Sequence, residues 1–87
     1  MSFSIRFSDA ALRSLQRIPK KFQIRLLRAV EGLRVSPFQG KKLQGQLAGM
    51  YSLRVWPYRI IYLVRKHELI VLVVDIGHRQ SVYHARN

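Results

Sequence analysis

From Ser2 to Phe7 apolar and polar residues alternate, with Phe3, Ile5 and Phe7 set against Ser2, Ser4 and Arg6. A period of two predicts a strand with one buried face. Ser8-Asp9 then offers a helix N-cap and an acid in the first turn, where the helix dipole favours it. Ala11, Leu12, Leu15 and Ile18 recur at helical spacing until Pro19 stops the run. A second helix is predicted to start at Pro19 itself, since proline suits a first helical position. Phe22, Leu26, Ala29, Val30 and Leu33 form its apolar stripe, and Ser36-Pro37 ends it. Two helices joined by almost nothing predict a helical hairpin.

Phe38 to Gly49 carries Gly40, Gly45 and Gly49 with Lys41 and Lys42, and reads as a loop holding a short helical turn around Leu43 to Leu47. From Met50 to Trp56 the alternation returns, with Tyr51, Leu53 and Val55 facing away from Ser52, Arg54 and Trp56. Pro57 breaks it. Tyr58 to Val64 is apolar on both faces except at Arg59, the pattern of a central strand. Within it Tyr58, Ile60 and Tyr62 share the core side. Arg65-Lys66-His67-Glu68 reads as a polar hairpin turn, Leu69 to Ile76 as another buried strand ended by Gly77, and Ser81 to Tyr83 as a last short strand or a docking tail. Short connections force the last three strands to pair antiparallel, and two helices need one sheet face to cover. The expected fold class is α+β, in the order βααβββ. A four-stranded, largely antiparallel sheet packs against an N-terminal helical hairpin, and residues 1–87 form a single domain.

Charge changes this picture more than any other total. Sixteen Lys and Arg face four Asp and Glu, a net charge of +12. Such an excess on 87 residues calls for an anionic partner: nucleic acid, an anionic membrane or an acidic protein. Lys20, Lys21, Arg25, Arg28 and Arg34 on the second helix are either part of that surface or a solvated face whose stems cover apolar neighbours. The chain has no cysteine, so disulfides and thiolate metal sites are excluded. The N-terminus shows no signal-peptide pattern, and Leu69 to Val74 is far shorter than the roughly 20 residues of a membrane span. A cytoplasmic protein without a membrane partner is expected.

Several chemistries are excluded by what is missing. Asp9, Glu31, Glu68 and Asp75 are scattered, which argues against two-metal chemistry and paired-carboxylate catalysis. His67, His78 and His84 lack zinc-site spacing, and no serine sits in a GxSxG context. No metal and no cofactor is expected. What remains is a set of Arg, His and Tyr. Antiparallel pairing can bring Arg54, Arg59, His78 and Arg79 to one sheet rim, with Tyr83 within reach. Guanidinium groups fork onto phosphate oxygens and stabilise the extra charge of a substitution at phosphorus. RNA carries its own 2′-hydroxyl nucleophile, and neighbouring arginines favour a tyrosine anion. Asp75 either orients Arg59 or Arg79 or satisfies a strand end. Lys41, Lys42, Arg65, His84 and Arg86 are further candidates for RNA contact.

Leu43-Gln44-Gly45, Gly49-Met50-Tyr51, Tyr58-Arg59-Ile60-Ile61-Tyr62, Gly77-His78-Arg79 and Val82-Tyr83 follow one another in an order that resembles the RelE/ParE superfamily of toxin–antitoxin toxins. The resemblance covers nearly the whole chain and favours the RelE-like branch, whose toxins cut mRNA in the ribosomal A site. It implies a metal-independent endoribonuclease with Arg59 and Arg79 as phosphate binders, Arg54 beside them, Tyr83 as base and His78 as auxiliary acid or orienter. Its implied partners are mRNA, the ribosome and an acidic antitoxin protein. The alternatives are a ParE-like gyrase inhibitor without nuclease activity, or a basic RNA-binding module without catalysis. Two positions depart from the RelE pattern. Ser52 stands where a lysine is often found, and Trp56-Pro57 replaces a glycine-containing turn, which leaves the placement of Arg54 against Arg59 open. The chain ends at Asn87, with no room for a long C-terminal helix.

Overall fold

The computed structural model describes residues 2–78. The elements are β1 (Ser4–Phe7), α1 (Asp9–Arg17), α2 (Lys20–Gly32), β2 (Lys41–Lys42), one 3-10 turn (Gly45–Leu47), β3 (Met50–Val55), β4 (Tyr58–Arg65) and β5 (Ile70–His78). The strands lie in the order β1-β5-β4-β3-β2. β1 runs parallel to β5, and every other neighbour pair is antiparallel. The α+β class and the largely antiparallel sheet agree with the sequence pattern. The sheet has five strands rather than four. The extra one, β2, pairs with β3 through only two residues, Lys41 with Ser52 and Lys42 with Tyr51. Two lysines in a glycine-containing stretch carry no alternation by which a strand is recognised.

Local hydrogen bonds set the helix ends. Ser8 Oγ accepts from the Ala11 N–H at 3.0 Å, as a helix cap should, and donates to the Val74 carbonyl at 2.6 Å. The β1–α1 turn is thereby tied to β5. At the other end of α1, the Gln23 amide donates to the Leu15 and Ile18 carbonyls, both at 2.9 Å. One side chain so covers the Ile18 carbonyl and adds a second donor to the Leu15 carbonyl, which also accepts from the Ile18 N–H at 3.1 Å. Pro19 is the N-cap of α2 and not its first helical residue: it takes an extended conformation, and its carbonyl accepts from Phe22 and Gln23. α2 also ends earlier than Ser36, at Gly32. The Arg34 carbonyl leaves the helical pattern to accept from the Phe3 N–H at 2.8 Å, and so joins the chain after α2 to the start of β1.

Both helices cover one face of the sheet. Ala11 and Ile18 from the first, and Leu26, Val30 and Leu33 from the second, pack with Ile60, Tyr62, Val71, Val73 and Ile76. Tyr51, Leu53, Val55 and Tyr58 add to this layer, as their alternation requires. β5 does not stop at Gly77 but continues to His78. An irregularity in the β4–β5 register, between Ile61 and Tyr62, pairs Ile61 with Asp75 and Tyr62 with Val73. The extra residue lets Ile76 return to the core side after Val73.

β2 is held by a close approach of backbone to a buried phenol. The Gly40 N–H donates to Tyr62 Oη at 3.0 Å. A side chain at residue 40 would place its Cβ 2.6 Å from that oxygen and 3.0 Å from the Ser52 carbonyl, so only glycine fits. Tyr62 stacks on Tyr51 with centroids 5.4 Å apart, and Phe38 meets Tyr51 edge-on at 5.7 Å. Burial pushes the Tyr62 phenol above its ordinary pKa of 10.0, partly countered by the Gly40 hydrogen bond.

Candidate active site

The sheet face turned away from α1 and α2 carries Arg54 and Arg59. β3 and β4 join through Trp56-Pro57 alone, which puts Arg54 directly opposite Arg59. The tight turn therefore brings the two arginines together. Two like charges directly opposite each other on a sheet destabilise it unless something anionic lies between them. Arg59 is the better anchored. Its Nη1 donates to Ser52 Oγ at 3.1 Å, diagonally across the two strands, and Ser52 is only 2% exposed. A buried hydroxyl with a charge-assisted bond fixes where the guanidinium lies. Reading Ser52 only as a missing cation overlooked this bond. The signal for it is the register, which places Ser52 and Arg59 as diagonal neighbours once the turn has two residues.

On β5 the residue opposite Arg59 is Gly77, which brings no side chain to that position. His78 lies opposite Tyr58, and their rings meet edge-on with centroids 6.1 Å apart. Tyr58 in turn meets Phe22 of α2 edge-on at 5.5 Å. His78 is therefore on the helix side of the sheet rim, and the strand alternation that puts Gly77 beside Arg59 keeps it off the arginine face. Asp75 accepts from Ser14 Oγ at 3.4 Å and from the Ile76 N–H at 2.9 Å, which ties it to α1 and its own strand.

The other basic candidates divide. Lys41 pairs with Ser52 and so shares the arginine face, while Lys42 pairs with Tyr51 on the opposite side. Gln39, Gly40, Lys41, Ser52, Leu53, Arg54 and Arg59 line a cleft of ≈ 370 Å³. Arg65 lies six residues from Arg59 along β4, about 20 Å away at the rise of a strand. It forms an exposed ion pair with Glu68 at 3.7 Å and is not part of this cleft. Arg79, Tyr83, His84 and Arg86 lie outside the described residues, as does the short strand or tail expected at Ser81 to Tyr83. Among the described residues no three His, Asp or Glu side chains gather as metal ligands, and no helix is long and apolar enough to cross a membrane.

The family described as the ParE toxin of type II toxin–antitoxin systems, parDE, matches residues 5–83. The chain belongs to this family of toxins. Among its relatives, Toxin RelG of Mycobacterium tuberculosis (strain ATCC 25618 / H37Rv) is 29% identical over 85 residues, covering 95% of this chain and 98% of that protein. Toxin RelE of the same strain is 30% identical over 83 residues, covering 93% of this chain and 86% of that protein. A similar fold occurs in the crystal structure of the toxin–antitoxin complex RelBE2 from Mycobacterium tuberculosis. There the TM-score is 0.85 at 27% identity, over 91% of this chain and 100% of the other. Within the RelE/ParE superfamily the protein is a RelE-like type II toxin.

Proposed function

We propose that this toxin is an endoribonuclease that cleaves mRNA, in the ribosomal A site, by attack of the RNA 2′-hydroxyl. The observation that carries this reading is Arg54 opposite Arg59 on the sheet face away from α1 and α2, with Arg59 Nη1 bonded to the buried Ser52 hydroxyl. A phosphodiester between the two guanidiniums removes their repulsion and gains forked hydrogen bonds. The additional negative charge of the pentacoordinate phosphorus is stabilised more than the ground state is. Arg79 is proposed as a further phosphate ligand and Tyr83 as the base, both following the strand that runs past Arg59. In the reaction the 2′-oxygen bonds to phosphorus and its proton passes to the Tyr83 oxygen. The bond to the 5′-oxygen breaks, and that oxygen takes up a proton from water as it leaves. Charge stabilisation by arginine makes the step independent of metal.

The partner that restrains this activity is an acidic antitoxin, in keeping with the net charge of +12 and with the RelBE2 complex. The decisive experiment follows translated mRNA in the presence of EDTA, comparing wild type with Arg79→Ala and Tyr83→Phe. Cleavage by wild type and its loss in both variants is the expected result; unchanged cleavage by both would overturn the site. The matching ParE family favours a second reading, a gyrase inhibitor. Gyrase-dependent DNA breaks with intact mRNA would establish that reading instead.

A further inference from the structure

We propose that Lys41 is the third cation of the RNA-phosphate cleft, and that the buried Tyr62 hydroxyl is the positioning group that holds it there through the Gly40 N–H. The proposal rests on the nuclease reading and adds residues to its site. Lys41 stands opposite Ser52 in the β2–β3 register, so it shares a face with Arg54 and Arg59 and lines the same cleft. Ser52 is buried and committed to Arg59, so the cation at this level of the sheet comes from the neighbouring strand. β2 has only two residues, and the Leu43 N–H bond to the Met50 carbonyl at 3.0 Å closes the end beyond Lys42. Its second anchor is the bond from the Gly40 N–H to Tyr62 Oη, one residue before Lys41. The absence of a side chain at Gly40 lets that backbone lie against the phenol. Tyr62 itself is fully buried and stacked, so the anchor is fixed from the core outward.

Lys42 supplies the control. It removes the same charge when replaced, from an adjacent residue that is also exposed, but it lies on the other face of β2. The test uses full-length protein, with Lys41→Ala, Lys42→Ala and Tyr62→Phe alone and with Tyr62→Phe combined with Lys41→Ala. A 2′-O-methylated single-stranded RNA, which has no nucleophile, reports binding across salt concentrations. Translated mRNA reports cleavage. Lys41→Ala is expected to lower cleavage at least about tenfold and Lys42→Ala by less than about twofold, the difference expected between a phosphate-contacting charge and a remote one. The slope of log affinity against log salt should become shallower by about 0.7 for Lys41→Ala only, the loss of one single-strand phosphate contact. Tyr62→Phe should weaken cleavage in the wild-type background and add nothing once Lys41 is alanine, whereas general destabilisation would act in both. Equal effects of the two lysine variants on the salt slope would overturn the proposal. If wild type leaves mRNA intact, the nuclease reading falls while the slope comparison still decides the place of Lys41.

Discussion

Arg59 interrupts an otherwise apolar strand, and its Nη1 donates to a buried hydroxyl, Ser52 Oγ, on the neighbouring strand. Arg59→Ala should lower mRNA cleavage about 10²-fold or more, as loss of one preorganised donor does, while the Tm changes little. A large fall in Tm would show that Arg59 is structural. Ser52→Ala tests the geometry rather than the charge. It removes the acceptor that orients Arg59, so kcat should fall about tenfold with KM nearly unchanged, the signature of an interaction used in the transition state. A rise in KM alone would mean that Ser52 serves binding only.

At the scale of elements, two joints decide how the pieces meet. Gln23 ties the start of α2 to the last carbonyls of α1. Gln23→Ala should cost about 1 kcal/mol in urea denaturation by removing two hydrogen bonds, the Leu15 carbonyl keeping the Ile18 N–H as donor; an unchanged midpoint would show that solvent replaces them fully. Gly40 and Tyr62 form the second joint. Gly40→Ala forces a Cβ against Tyr62 Oη and should cost about 1–3 kcal/mol, typical of overpacking. In the double variant with Tyr62→Phe the oxygen is gone, so the two losses should sum to less than their separate values. Simple additivity would mean that the contacts with the Ser52 carbonyl and the Tyr62 ring dominate.

Across the whole molecule, charge and protonation couple to function and stability. With a net charge of +12, binding to RNA should weaken steeply with salt. At high pH one buried group matters in particular. Burial raises the Tyr62 pKa in the folded state, so the unfolded chain loses that proton first as pH rises. The contribution is complete below the ordinary value of 10.0 and is lost as pH climbs through the raised folded value. Wild type should thus lose stability relative to Tyr62→Phe above about pH 10, measurable as the difference in denaturation midpoint at pH 8 and pH 10.5. A constant difference would show that the phenol titrates as if exposed.

Alternation and spacing along the chain determined the strand that opens it, the two helices, the three-strand meander and which tyrosines face the core. Those patterns follow from one residue meeting one environment, and burial on one face writes them directly into the sequence. The charge excess and the arginine that breaks β4 were equally legible. Only the tertiary structure decided what depends on register. The two-residue turn set Arg54 against Arg59, and the β4–β5 pairing sent His78 to the helix side while Gly77 took the place beside Arg59. It also placed Lys41 and Lys42, identical and adjacent in the chain, on opposite faces of an edge strand too short to show a period. Register is fixed by contacts between distant segments, here the Ser52–Arg59 and Gly40–Tyr62 hydrogen bonds. A shift of one residue would exchange the faces without altering any local pattern.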